Sequence, residues 1–169
     1  WILVGNPSTS QTAEVDVYID GVLMDSYSIL PGENVTPQYP GTRGGPVRVV
    51  STNSVDIFAS ERSLYKESFN EVMGYPGDQL TTEYWFPWYD QLGMNTWILV
   101  GNPSTSQTAE VDVYIDGVLM DSYSILPGEN VTPQYPGTRG GPVRVVSTNS
   151  VDIFASERSL YKESFNEVM

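Results

Sequence analysis

Any chemistry in this chain must come from carboxylates, aromatic rings, hydroxyls and two lysines, because the sequence holds no histidine and no cysteine. That inventory excludes a Ser-His-Asp triad, a cysteine nucleophile and a conventional zinc site. Neither a GxxxxGKS/T nor a GxGxxG run occurs. Carboxylates are plentiful. Glu14, Asp16 and Asp20 share one face of a strand-like segment, and Asp25 lies across a hairpin from them. Two carboxylates held across a cleft hydrolyse glycosides, but acids alternating with valine describe a solvated face. Calcium takes about six to eight oxygens, usually from one loop, and no EF-hand or DxDxDG spacing is present. We therefore expect no metal, no cofactor and no enzymatic activity.

The sharpest local feature is aromatic. Tyr84, Trp85, Phe86, Trp88 and Tyr89 fall within six residues, and Tyr75 precedes them. Aromatic side chains dominate cores and interfaces, so packing between repeats, or donation of a strand to a neighbour, is the leading reading. A sugar-stacking platform is the alternative. Lys66 and Lys162 are the only lysines; each is a candidate for an isopeptide crosslink to an asparagine, weighed against a plain surface ion pair of little energy. Asn34 and Asn130 each begin an Asn-Val-Thr triplet, the acceptor pattern for N-glycosylation.

The elements that position these residues repeat. Residues 1–73 reappear without a substitution as residues 97–169, an offset of 96, separated by the spacer GYPGDQLTTEYWFPWYDQLGMNT. A solenoid unit runs roughly 20 to 50 residues, whereas an immunoglobulin-like sandwich takes about 100. The chain is thus an array of domains. Net charge is −13, and such acidity repels nucleic acid and anionic lipid. No stretch reaches transmembrane length.

Within one copy, Ala13, Val15, Val17 and Ile19 alternate with Glu14, Asp16, Tyr18 and Asp20, the period-two pattern of a half-buried strand. Asp20-Gly21 then predicts a type I′ hairpin turn, and Pro31-Gly32 a type II turn. Strands are also expected at 46–52 and across VDIFASER, with Val55, Ile57 and Ala59 inward. SLYKESFNEVM fits either a last strand or a short helical turn. In the spacer, Thr82, Tyr84, Phe86 and Trp88 alternate with Glu83, Trp85 and Pro87, and Pro87 confines that strand to an edge or an end. Arg48 and Arg62 are expected to pair with carboxylates across the sheet. The whole predicts an all-β fold of tandem immunoglobulin-like sandwiches, about seven strands per repeat.

The phase of the domain stays open. If the aromatic strand, 81–89, begins a bead, then 80–169 is complete, 74–79 is a short joint, and 1–73 lacks its first strand. If the strand closes the preceding bead, 1–96 is complete and 97–169 is deficient. An incomplete sandwich is a template for strand addition. The joint is too short and too rich in Tyr and Pro to be a flexible linker, which predicts stiff joints.

The words EYWFPWYD, TWILVGNPS, GGPVRVVS and SFNEVMGYP resemble the serial, nearly identical repeats of long bacterial surface and secreted proteins. That resemblance implies an extracellular β-sandwich array and supplies neither activity nor ligand. The expected function is a structural repeat of a stalk, fibre or filament at the cell surface. Its partners would be neighbouring identical repeats and other copies of the chain. A repeated glycan-binding adhesin module is the alternative.

Overall fold

Alternation of apolar and polar residues, punctuated by turn residues, yields strands throughout. The computed structural model describes residues 1–169, and its one helical feature is a single 3-10 turn at Gly77–Gln79. The chain divides into two units. The first comprises Trp1–Ser63 with Glu71–Gly74, and the second comprises Leu64–Asn70 with Tyr75–Met169.

The first unit is built on β1 (Ile2–Gly5), β2 (Ala13–Ile19), β3 (Val22–Ile29), β4 (Asn34–Val35), β5 (Val47–Ser51), β6 (Phe58–Tyr65) as far as Ser63, and β7 (Ser68–Met73) from Glu71 onward. One antiparallel sheet has the order β4-β1-β6-β7, the other β3-β2-β5. The β2–β3 hairpin closes through Asp20 (φ 54°) and Gly21 (φ 71°), both in the left-handed region that a type I′ turn requires. Gly32 takes φ 74°, as the Pro-Gly turn demands. Along β2, Ala13, Val15, Val17 and Ile19 are buried, as their alternation predicts.

The second unit contains β8 (Glu83–Phe86), β9 (Tyr89–Asp90), β10 (Asn95–Gly101), β11 (Ala109–Ile115), β12 (Val118–Ile125), β13 (Asn130–Val131), β14 (Arg139–Gly140), β15 (Val143–Ser147), β16 (Phe154–Tyr161) and β17 (Ser164–Val168). Its sheets run β13-β10-β16-β17 and β12-β11-β15-β8, with a short ribbon β14-β9. Ile98, Val100 and Ala155 from the first sheet share one core with Val111, Val113, Val143 and Val145 from the second. Two sheets facing across a common apolar layer form a β-sandwich.

The second unit carries ten strands rather than the expected seven because the two-residue ladder fragments β9, β13 and β14 arise from tertiary pairing and carry no alternation of their own. The ambiguous segment SLYKESFNEVM is a hairpin arm and its return strand. Its turn passes through Lys66 at φ 53° and, in the second copy, through Lys162 at φ 54°. These are left-handed positions without the glycine that usually marks them.

Candidate functional site

The spacer becomes structure through its alternation. Tyr84 and Phe86 turn inward and are buried, while Trp85 faces out at 57 % exposure. Pro87 interrupts the ladder, having no N–H to give it. Pairing resumes at Tyr89, which is fully buried. The interruption resets the alternation, so Trp88, expected beside Tyr84 and Phe86, is instead 51 % exposed.

Strand β8 lies antiparallel on β15, with Phe86 opposite Val143, Trp85 opposite Arg144, Tyr84 opposite Val145 and Glu83 opposite Val146. Two further backbone bonds lengthen the seam. The Ser147 N–H donates to the Thr82 carbonyl at 2.8 Å, and the Ile153 N–H donates to the Thr81 carbonyl at 2.9 Å. Inside, the Tyr84 hydroxyl donates to the Ile153 carbonyl at 3.0 Å, and the Tyr75 ring meets Tyr84 edge-on at 6.1 Å. The Tyr89 hydroxyl donates to the Thr96 carbonyl at 3.1 Å and accepts the Tyr135 N–H at 2.8 Å. Burial pushes the phenol pKa of Tyr84 and Tyr89 up, so both are neutral donors.

Charge closes the seam from outside. Glu83 pairs with the Arg144 guanidinium, which lies 5.5 Å from the Tyr114 ring and 5.7 Å from the Trp85 ring. Asp90 binds Arg139 at 2.8 Å and accepts the N–H groups of Leu92 and Gly93, each at 2.8 Å. The Arg139 contact first, then the Gly93 N–H, holds the Asp90 carboxyl well below the usual carboxylate range. Gly141 lets the chain pass close. A Cβ there would sit 2.5 Å from the Pro87 carbonyl oxygen.

The first unit contains the same residues without this strand. In its three-stranded sheet β5 is an edge. Val47, Val49, Ile57 and Ala59 are only half-buried, whereas their counterparts Val143, Val145, Ile153 and Ala155 are fully enclosed. The backbone bonds made by Ser147 and Ile153 to the spacer have no equivalent at Ser51 and Ile57. Arg48, expected to find a carboxylate, instead lies over the Tyr18 ring at 4.1 Å, because the acid its counterpart uses comes from the spacer. Arg62 does find one, Glu71, at 2.6 Å.

The remaining candidates are dispersed. Glu14 accepts the Ser28 hydroxyl at 2.5 Å and Asp16 the Ser26 hydroxyl at 2.6 Å, a ladder across β2 and β3 that the second copy repeats. No group of three or more acidic side chains converges to hold a metal ion. Lys66 is exposed and pairs with Glu163 at 2.6 Å within the second unit. Lys162 lies 5.3 Å from the Tyr161 ring centre. Asn34 is exposed on β4, and Asn130 is half-buried on β13.

Sequence reasoning missed four contributors to the seam: Tyr135, Arg139, Gly141 and Arg144. All lie in or beside the loop YPGTRGGP, where an aromatic and an arginine among turn residues, with a second arginine on the strand that follows, were the available signal. It also missed an open cleft of about 360 Å³ between Trp88, Tyr161, Glu157 and Asn166. No protein-family model matches the chain, and no curated protein or solved structure shows significant similarity to it.

Proposed function

We propose that the chain is a structural repeat of an extracellular stalk, fibre or filament, in which the spacer strand is part of the folded repeat. One observation carries this reading. The same 73-residue sequence occurs twice, and the copy paired with Thr81–Asp90 has the larger enclosed core. With that strand counted in the fold, only Gly74–Leu80 is left to connect β7 to the Thr81 bridge. Joints this short, containing Tyr75 and Pro76, favour a stiff array over freely jointed beads. The acidic surface keeps serial copies soluble and self-avoiding. The resemblance to bacterial surface repeats points to the same location, outside the cell, with identical neighbouring repeats as partners. We further propose that the repeat has no catalytic role: Glu14 and Asp16 are engaged by serine hydroxyls, and Glu71, Glu83, Asp90 and Glu167 by arginines.

Electron microscopy of a multi-repeat chain tests this. The reading expects a regular thread with one bead per 96-residue period. Freely jointed beads would contradict it.

A second reading, a glycan-binding module repeated for avidity, draws on the exposed Trp85 and Trp88 and on the cleft beside Trp88. A glycan array decides it. Binding lost on Trp88→Ala or Trp85→Ala would favour the adhesin, and an array without hits would remove it.

A further inference from the structure

We propose that the free edge of β5 in the first unit is a binding site for a further spacer strand with the sequence of Thr81–Asp90. That strand would stand ahead of the copy it completes. The inference rests on the structural reading above and names the partner of the seam.

The second unit supplies the template. Its β15 is identical in sequence to β5 and carries the strand in a defined antiparallel register. Transferred by the repeat offset, that register sets Phe opposite Val47, Trp opposite Arg48, Tyr opposite Val49 and Glu opposite Val50. Every receiving group is present and free of a competing spacer contact. The half-buried side chains of Val47, Val49, Ile57 and Ala59 form the apolar floor. The Ile57 carbonyl is the counterpart of the acceptor that Tyr84 uses on Ile153. Ser51 and Ile57 offer the N–H groups whose counterparts bond Thr82 and Thr81. The Arg48 guanidinium, now over Tyr18, is the counterpart of the one that pairs with Glu83 beneath Trp85.

Backbone bonds along a sheet edge supply affinity in such strand addition, and pockets for alternate side chains supply specificity. Here the pockets select Tyr and Phe on one face, and Arg48 selects Glu and Trp on the other. A strand supplied in cis from the N-terminal side gains contacts that a free strand lacks. Strand β10 continues three residues further than β1 at its start, pairing Asn95 with Leu160 and Thr96 with Ser159. Thr96 also receives the Tyr89 hydroxyl. A strand in cis therefore docks together with a longer first strand. A strand lifted from the second unit of another molecule would open that unit and gain nothing net.

Hydrogen exchange read by mass spectrometry tests the proposal, using the identity of the copies. A peptic fragment covering Val47–Ser51 has the same mass as one covering Val143–Ser147, so the free 169-residue chain should give two isotope envelopes, one fast and one slow. Placing a second Gly74–Thr96 sequence ahead of Trp1 should merge them into one slow envelope, with the fast population slowed by about tenfold or more. The synthetic peptide Thr81–Asp90, added in excess to the 169-residue chain, should slow the same population. A peptide carrying Tyr84→Asp and Phe86→Asp should not. An unchanged fast envelope in the prefixed chain would overturn the proposal, as would protection confined to other segments. Loss of protection beside an ordered thread in the microscope would sink this inference alone. Protection without an ordered thread would sink the structural reading alone.

Discussion

Glu61 and Glu157 hold the same place in two identical sequences, yet their surroundings differ. The Ser63 hydroxyl donates to Glu61 at 3.0 Å. Its counterpart Ser159 lies 3.3 Å from the Thr96 hydroxyl instead, a residue the spacer supplies. Glu157 is left with one carboxylate oxygen sealed from solvent and unpartnered, and burial pushes its pKa from an ordinary 4.5 up to about 7. The folded state then holds the proton more tightly than the unfolded state. Its contribution is fully present below about pH 4.5 and lost as pH rises to about 7. Glu157→Gln should therefore stabilise the second unit at pH 8 and leave it unchanged at pH 4, read by urea unfolding at both pH values. Asp90 works in the opposite sense. Its carboxyl is lowered by Arg139, so its stabilisation is present at neutral pH and lost as pH falls through and below the normal carboxylate range. Asp90→Asn should flatten that acid limb in the same titration. Tyr84 separates packing from hydrogen bonding. Tyr84→Phe should cost about 1 kcal/mol, and Tyr84→Ala about 3 to 5 kcal/mol, by chemical denaturation.

At the scale of the element, one strand decides whether a sandwich closes. Phe86→Ala removes a buried ring and should cost about 3 to 5 kcal/mol. Trp85→Ala and Trp88→Ala remove exposed ones and should stay within about 0.5 kcal/mol. The reverse order in equilibrium unfolding would place the tryptophans in the core. Gly141→Ala should destabilise the second unit by about 1 to 3 kcal/mol, because the new methyl meets the Pro87 backbone, which has no rotamer with which to yield. Much of this was legible. The alternation of β2 named its buried face, and Asp20-Gly21 named its turn. The spacer read as a strand because Tyr84 and Phe86 alternate with Glu83 and Trp85. What period-two patterning cannot encode is the sheet edge a strand joins, so its place on β15 stayed open. Trp88 was misplaced because Pro87 resets the alternation. The β6–β7 hairpin was ambiguous because Lys66 occupies a left-handed turn position with no glycine to announce it. The cleft beside Trp88 was hidden because Glu157 sits in the plain string ASER and acquires its setting through tertiary pairing.

For the whole molecule, two identical sequences with unequal cores should differ in stability. The second unit encloses sixteen apolar residues in one cluster, the first only six. Since each fully buried aliphatic or aromatic side chain contributes roughly 1.5 to 3 kcal/mol, denaturation of the 169-residue chain should proceed in two transitions, the first unit melting first. Coincident transitions would mean that the spacer strand adds little. The central proposal, that the spacer is a folded part of a structural repeat, is tested most directly by pulling a multi-repeat chain in a single-molecule force experiment. Residues 81–169 released together correspond to about 310 Å of contour, and the 73-residue copy alone to about 255 Å, at roughly 3.5 Å per residue. The account predicts evenly spaced ruptures at the longer step. Steps at the shorter length, or extension without ruptures, would contradict it.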